Sequence, residues 1–528
     1  MSPLVSHGLC DTEEHAMKVT LVNVQISEGN NIVPPLGVLY IASTLESLGH
    51  TVQVFDCDPD IYSCVDEIAD FAPDMIGLSC YTNTYEKARR LNTKLRQRIP
   101  SAIYVCGGVH ATAKPCETFD ELGVDFLVFA EGERTVAQLV RVLESGSRDG
   151  LARIKGLYYR DGEEIKYHGP PDLIDELDSI PFPARHLLEY EPYLVPPGMI
   201  RGYAMGRVTT LFTSRGCPYA CTYCASHIVQ GKGVRRRSPQ NVVAELTLLV
   251  ERYAINGFYI CDDVVTLDRD WMINFSQLLA SSDLKLRWAC QSRVDSLDDE
   301  MLHAMKRAGL VQLDFGVESG SDKTLKTMRK STTAQVARDA FGLTQRLDVR
   351  SCATFILGFP GETEQDMEET FCLAREIRAD YTAFYFLTPY PGTPIYQTAV
   401  THGWFDPKLV EAEQYTHRQV DQPMMAIELE PQRLATIRRR FQNHFFFRNY
   451  FRWYNLGFYG SLLSVMLRRP AESMSAFVRL IKTRRLDTFV ESVFEMHQRW
   501  HRTRCDMNRN RGMTSALVGS IAQKPTMQ

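Results

Sequence analysis

The stretch VTTLFTSRGCPYACTYCAS (Val208–Ser226) starts as a β-branched, apolar run and turns, after Gly216, into three cysteines within eight positions. The first half is the pattern of a buried strand. The second half sets Cys217, Cys221 and Cys224 at the spacing C-x3-C-x2-C on the loop that leaves it. Five later segments repeat the plan of an apolar run ending in polar residues or Gly and Pro. They are GFYICDD (Gly257–Asp263), LRWACQSR (Leu286–Arg293), VQLDFGVESG (Val311–Gly320), SCATFILGFPGE (Ser351–Glu362) and DYTAFYFLTPYPGTP (Asp380–Pro394). Helical segments such as PQNVVAELTLLVERY and DDEMLHAMKRAG separate them. Six such units predict a partial βα (TIM-like) barrel, whose chemistry belongs at the carboxyl ends of its strands.

A different α/β unit precedes it. KVTLVNV, TVQVFDC, MIGLSC, IYVCGG and FLVFAEGE read as strands, with helical segments between them. Short apolar strands alternating with helices predict a doubly wound parallel sheet, which binds ligands beyond the carboxyl ends of its strands. The loops QISEGNNIVPPLG, DCDPD, SCYTNTY, GGVHAT and AEGERT are then the ones that matter. The expected division is an N-terminal tail (1–17), the doubly wound domain (18–150) and a linker (151–204) with a hairpin and a connection through Pro170, Pro171, Pro181 and Pro183. The barrel (205–400) and a helical, basic C-terminal region (401–528) complete it.

Composition narrows the class. With 44% hydrophobic and 23% charged residues among 528, the chain resembles an ordinary soluble protein of two or three domains. The N-terminus has no secretory pattern and no apolar stretch is long enough to span a bilayer, so a cytoplasmic location is expected. The 14 cysteines should then remain reduced. Cys80 and Cys106, inside apolar runs, read as buried small hydrophobes. Three thiols on one post-strand loop suit a 4Fe–4S cluster with one iron left without a protein ligand. Structural zinc would want a fourth ligand, and His227 is the nearest candidate. From Ala435 onward, 17 Lys/Arg stand against 5 Asp/Glu in a chain of net charge −5. The acidic body argues against a general nucleic-acid partner, and only the tail favours anionic ones.

The cysteine loop, with Tyr223 before its last cysteine, resembles the signature of the radical S-adenosylmethionine (SAM) enzymes. The resemblance extends over ICDD, SRVD, FGVESGSDKTL and TFILGFPGET, roughly residues 205–400. PPLG, GGVHAT and AEGERT are similar to the flavodoxin-like cobalamin-binding domain that precedes the barrel in one large subfamily. That subfamily contains methyltransferases and anaerobic Mg-protoporphyrin monomethyl ester cyclases. The resemblance implies that Cys217, Cys221 and Cys224 ligate the cluster and serve catalysis, and that the Tyr223 main chain touches adenine. It implies that Asp262 and Asp263 receive the SAM amino group, that Arg293 and Glu318 hold carboxylate and ribose, and that the backbone at Gly358 lies along adenine. The alternatives are a helix-capping Asp262 and a structural Arg293–Glu318 salt bridge.

For cobalamin, the resemblance points to Ser79, Thr82 and Thr112 as anchors. Gly107, Gly108 and Gly132 would permit close approach, and His110 would meet the nucleotide tail, otherwise being a surface-loop histidine. The loop after the first strand has no histidine, so no histidine lower ligand is expected. The implied function is a cobalamin-dependent radical SAM methyltransferase. It would act on an unactivated carbon of a small molecule, natural product or lipid through a 5′-deoxyadenosyl radical. An external flavodoxin or ferredoxin would supply electrons. The rivals are an oxidative cyclase, a tRNA methylthiotransferase, disfavoured because the N-terminal cysteines lack the spacing of an auxiliary cluster, and a non-catalytic cobalamin sensor, disfavoured by the intact cysteine triad. In FQNHFFFRNYFRWYNLGFY (441–459), Phe446, Tyr450, Tyr454 and Phe458 recur every four residues. That stripe is expected to pack on the barrel, to wall a pocket for a flat substrate, or to touch a membrane surface. Deleting residues from 435 is expected to spare the cofactors and abolish turnover.

Overall fold

The computed structural model describes residues 16–24, 33–57, 64–146, 148–194, 207–411, 422–450 and 456–483, with a few positions beyond. Two compact units divide the chain, the first mainly Gly37–Ile174 with the N-terminal strand and Ile180–Leu187, the second mainly Leu188 onward.

The first unit is a seven-stranded sheet of β1 (Lys18–Val24), β2 (Thr51–Cys57), β3 (Met75–Ser79), β4 (Ile103–Gly107), β5 (Phe126–Val128), β6 (Leu157–Asp161) and β7 (Glu164–Tyr167). Its order is β2-β1-β3-β4-β5-β6-β7. The first five strands are parallel, and β6 and β7 add antiparallel at the β5 edge. The hairpin placed by sequence in the 151–204 segment is therefore part of this sheet. Order 2-1-3-4-5 reverses between β1 and β3, the switch point at which such sheets open a crevice. Six of the seven residues of β1 are buried, as a central parallel strand requires. Helices Leu36–Ser47, Cys64–Phe71, Tyr85–Arg98 and Glu133–Glu144 fall where the periodicity puts them. GGVHAT differs, because a short helix, Val109–Ala113, begins inside it. Cys80 and Cys106 are fully buried, as their apolar surroundings predict.

The second unit contains all six strands read from sequence. They are β8 (Val208–Leu211), β11 (Gly257–Ile260), β12 (Arg287–Ser292), β13 (Leu310–Glu318), β14 (Arg350–Leu357) and β15 (Tyr381–Phe386). They pair in sequential order and all in parallel. Two short strands, β9 (Ser214–Arg215) and β10 (Arg235–Arg236), pair antiparallel and close the cysteine loop. Alternation sorts the residues. Phe258, Ile260, Trp288, Cys290, Leu313, Phe315, Phe355 and Leu357 enter the main core with the helices, whereas Tyr259 and Ala289 join a small cluster with Val208. Residues two apart share a face, so the strand ends deliver loops and the helix side delivers stability.

The C-terminal region enters this core. Helix Pro431–Tyr450 buries Leu434, Ile437, Phe441 and Phe445 in it. Phe441 stacks on Phe371 with ring centroids 4.5 Å apart. Arg438 Nε donates to the Phe384 carbonyl at 2.7 Å, and Asn449 bonds the Thr382 amide and carbonyl at 2.9 and 2.7 Å. This helix covers the free edge of β15. Removing residues from 435 would strip Ile437, Phe441 and Phe445 from this core, which runs against the expectation that the deletion spares the second unit. Of the predicted aromatic stripe, Phe446 is buried; Tyr454 and the side chains of Tyr450 and Phe458 lie outside the described residues.

Candidate functional site

The cysteine loop is held at both ends. At its start, Asp262, at the end of β11, accepts the Thr213 amide at 2.7 Å, Thr213 Oγ1 at 2.5 Å and Ser214 Oγ at 2.6 Å. Burial raises the Asp262 pKa, and these donors oppose the rise. Its oxygens are thus spent on the loop, and it does not cap the next helix; that is the role of Asp268, which accepts the Trp271 amide. Gly216 then passes so close to the bend before β10 that a Cβ would lie 2.0 Å from the Gly233 carbonyl, at a φ of +91°. Only glycine fits there. Farther along, the Thr222 amide donates to the Met328 carbonyl and the Ile395 amide to the Thr222 carbonyl, both at 3.0 Å. Cys221 is buried, and Cys217 and Cys224 are half-buried. Burial pushes the Cys217 and Cys224 thiols up, Cys224 to about 11, and the nearby Asp263 charge adds to both. Asp263 itself accepts a hydrogen bond from Ser226.

The next strand ends face this loop. Arg293 follows β12, is buried, and lies with its guanidinium 3.6 Å from the ring centroid of Tyr219, between the first two cysteines. Asp295 holds it by a fork at 2.8 and 2.7 Å, and it donates to the Lys330 carbonyl at 2.6 Å. Glu318, the last residue of β13, has a φ of +71°, a left-handed conformation that costs a residue with a Cβ about 1–2 kcal/mol. Its Oε1 accepts Lys330 Nζ at 3.0 Å, and that ammonium is 3.4 Å from Tyr223 Oη. Burial and then the Glu318 charge raise the Tyr223 pKa well above the usual phenol range. The alternative of a structural Arg293–Glu318 salt bridge is therefore set aside, since each residue has its own partner, in the pairs Arg293–Asp295 and Glu318–Lys330. After β14, Glu362 Oε2 accepts the amides of Gly358 and Phe359 at 2.7 and 3.1 Å, and its buried Oε1 has no partner. Among the described residues, no three His, Cys, Asp or Glu side chains converge on a single ion position.

In the first unit, the loops after β3, β4 and β5 emerge at one edge of the sheet. Thr112 Oγ1 donates to the Gly108 carbonyl at 2.9 Å and accepts the Ala130 amide at 3.0 Å, tying two of them together. Thr82 Oγ1 meets His110 Nδ1 at 3.2 Å. His110 is buried and stacked on Tyr85 at 4.1 Å, so it is no surface-loop residue. Burial lowers its pKa to about 3, with Lys114 adding to the effect, and the ring is neutral. A Cβ on Gly108 would meet the Cys80 carbonyl at 2.9 Å, and one on Gly132 would meet Ile41 at 2.9 Å. Both glycines therefore have packing reasons of their own. Gly107 shows only ordinary contact distances, and Ser79 is half-buried at the end of β3. Residues 25–32 and 58–60 of the other two candidate loops lie outside the described residues.

Residues 211–374 match the model of the radical SAM superfamily, and residues 23–140 match that of the B12 binding domain. An uncharacterised methyltransferase of Pyrococcus horikoshii is 32% identical over 377 residues, covering 70% of this chain and 79% of that protein. The chain belongs to the cobalamin-binding radical SAM methyltransferase family. A second relative is the anaerobic magnesium-protoporphyrin IX monomethyl ester cyclase of Cereibacter sphaeroides. It is 29% identical over 374 residues, covering 69% of this chain and 60% of the cyclase. Among solved structures, the radical SAM methyltransferase TsrM from Kitasatospora setae superposes with a TM-score of 0.62 at 19% identity, over 73% of this chain and 78% of that one. It shares the fold.

The residues present fit the radical SAM cofactors. Three buried or half-buried thiols stand on one loop, and burial holds the protons on Cys217 and Cys224 against loss to water, so those thiols give them up to a positive partner such as iron. A zwitterionic sulfonium needs both charge signs close by, and Glu318 and Lys330 supply them in one pair. Lys330 is absent from the sequence-based site. It sits between Arg329 and Ser331, both with positive φ, on a tight turn that also offers its carbonyl to Arg293 and the Met328 carbonyl to the cysteine loop. Tyr219 escaped notice too, although its place between two of the cysteines was available as a signal.

Proposed function

We propose that this radical SAM protein is a cobalamin-dependent methyltransferase acting on an unactivated carbon of a small molecule, natural product or lipid. Cys217, Cys221 and Cys224 would hold a 4Fe–4S cluster. The observation that carries the reading is the cysteine loop clamped from three strand ends, by Asp262, by Arg293 and through Tyr223 by Glu318 and Lys330. Bound there, the cluster supplies a low-potential electron to SAM, and cobalamin supplies a methyl carrier. The protein's own work is placement. Asp262 and Arg293 fix the loop, Asp263 and the Glu318–Lys330 pair offer charge to the SAM zwitterion, and Glu362 shapes the Gly358 turn for adenine. Ser79, Gly107, Gly108 and the Thr82–His110 pair would border the cobalamin site. A flavodoxin or ferredoxin would deliver the electron.

Anaerobic incubation of reconstituted protein with methyl-deuterated SAM and candidate substrates tests this. Label in the product supports the methyltransferase, and a product mass change without label supports the oxidative cyclase reading that the 29%-identical cyclase favours. Absence of four irons and sulfides per chain overturns both.

A further inference from the structure

The helices that follow the barrel-covering one carry a largely exposed apolar face, on which Phe477 meets the ring of Phe489 at 6.4 Å between centroids. In helix Pro470–Thr483, Met474, Phe477, Val478 and Ile481 recur at i, i+3, i+4 and i+7, the spacing of a core-facing stripe. Yet each is between 41% and 63% exposed, whereas Ala476 is buried. In the preceding helix, Leu456–Arg468, Leu463 and Leu467 are 58% and 75% exposed while Val465 is buried. The two helices are tied by Ser473 Oγ donating to the Met466 carbonyl at 3.0 Å. Val465, Val493 and Met496 form a small core of their own, with Met466 and Phe489 packed against it, and apart from the edge contact of Phe477 with Phe489 the exposed stripe lies off that core. Six of the ten exposed large hydrophobic residues among the described ones lie in this pair of helices.

The local charge says what covers the stripe. From Arg468 to Arg485 the sequence has six Lys/Arg and one acid, Glu472, and Glu472 is paired with Arg469. An apolar stripe set among basic residues on a short helix is suited to lie in a membrane interface, apolar side chains in the acyl boundary and cations at anionic headgroups. No helix among the described residues is long and apolar enough to cross a membrane. A 14-residue helix is about 21 Å long, enough to lie flat. We infer that helices 456–468 and 470–483 form a docking face for an anionic phospholipid bilayer. Of the aromatic stretch 441–459 singled out from sequence, Phe441 and Phe445 turn instead into the barrel core.

The test is flotation of the full-length, anaerobically purified protein with vesicles. One set is phosphatidylcholine alone, and the other is three parts phosphatidylcholine to one part phosphatidylglycerol. Wild type is expected to float with the phosphatidylglycerol vesicles at about 0.1 M salt and to bind them less at about 1 M. The double variant F477S/I481S should lose at least about tenfold in partitioning. Both side chains are exposed, so its thermal midpoint and iron content should match wild type; a fall in either moves the test to L463S/L467S on the neighbouring helix. No flotation, flotation indifferent to phosphatidylglycerol, or flotation untouched by both double variants overturns the inference. So does a dimer in sedimentation that F477S/I481S dissociates without any vesicle binding, which would make the stripe a contact between copies.

Discussion

Glu362→Gln should change how the stability of the barrel unit depends on pH. The Glu362 carboxyl is buried at 1% exposure. Burial raises its pKa from 4.5 to about 7, against the two amides of Phe359 and Gly358 that favour the anion. The folded chain therefore binds one proton more than the unfolded chain between those two values. Its stability contribution is complete below pH 4.5 and is lost as pH rises through 7. At 1.36 kcal/mol per pKa unit the full loss is about 3 kcal/mol, of which about 2 falls between pH 5.5 and 8. Asp366, one turn away, does not blur this window. Although burial opposes it, the Lys323 ammonium and its other donors hold that carboxyl well below the usual range, so its contribution is lost only under strong acid. Glutamine retains an oxygen for the two amides and cannot ionise. Urea denaturation of both proteins from pH 5.5 to 8 should show a wild-type midpoint that falls relative to the variant's. A difference between them that stays constant within about 0.5 kcal/mol across that range would show that Glu362 is ionised throughout, and the argument for a neutral buried carboxyl would be lost.

Phe441→Ala should destabilise the second unit by about 3–5 kcal/mol, because a fully buried ring stacked on Phe371 is removed from the edge of the core; differential scanning calorimetry with an unshifted transition would contradict the docking of this helix. Gly216→Ala should yield protein that takes up less than about a tenth of the wild-type iron on reconstitution, since its Cβ meets a carbonyl and its φ is left-handed; full iron content would refute the close crossing. Arg293→Lys loses the fork to Asp295 and the planar stack on Tyr219, so iron should leave to a chelator at least about tenfold faster than from wild type; equal release rates would remove Arg293 from the clamp.

The fold was legible because hydrophobic period speaks directly to topology. Lys18–Val24 and Thr51–Cys57 coincide with the observed strands, and all six barrel strands appear, since parallel strands buried on both faces must be apolar almost throughout. Packing against distant segments left less trace. Phe446, Tyr450, Tyr454 and Phe458 form a regular stripe in sequence, of which Phe446 is buried; among the described residues the rings that enter the core are Phe441 and Phe445, continuing a row begun by Leu434 and Ile437. The row that starts at Leu434 follows from where β15 presents its free edge, which period alone does not encode.

The site divides along the same line. The cysteine spacing announces a cluster because the chemistry demands three thiols on one loop, whatever the rest of the chain does. The residues that hold that loop are partners across 49 positions for Asp262 with Thr213 and 107 for Lys330 with Tyr223. Neither separation has a local pattern. What sequence supplied was the address, the end of a strand; what it could not supply was the direction of each side chain once there. Asp262 turns back to the loop and leaves Asp263 beside the cysteines. Arg293 lies against Tyr219, and the opposite charges at the site come from Glu318 with Lys330. A loop built to keep three thiols in place against the pull of a metal centre needs rigid supports more than it needs additional ligands. Most of the polar residues at these strand ends serve as those supports.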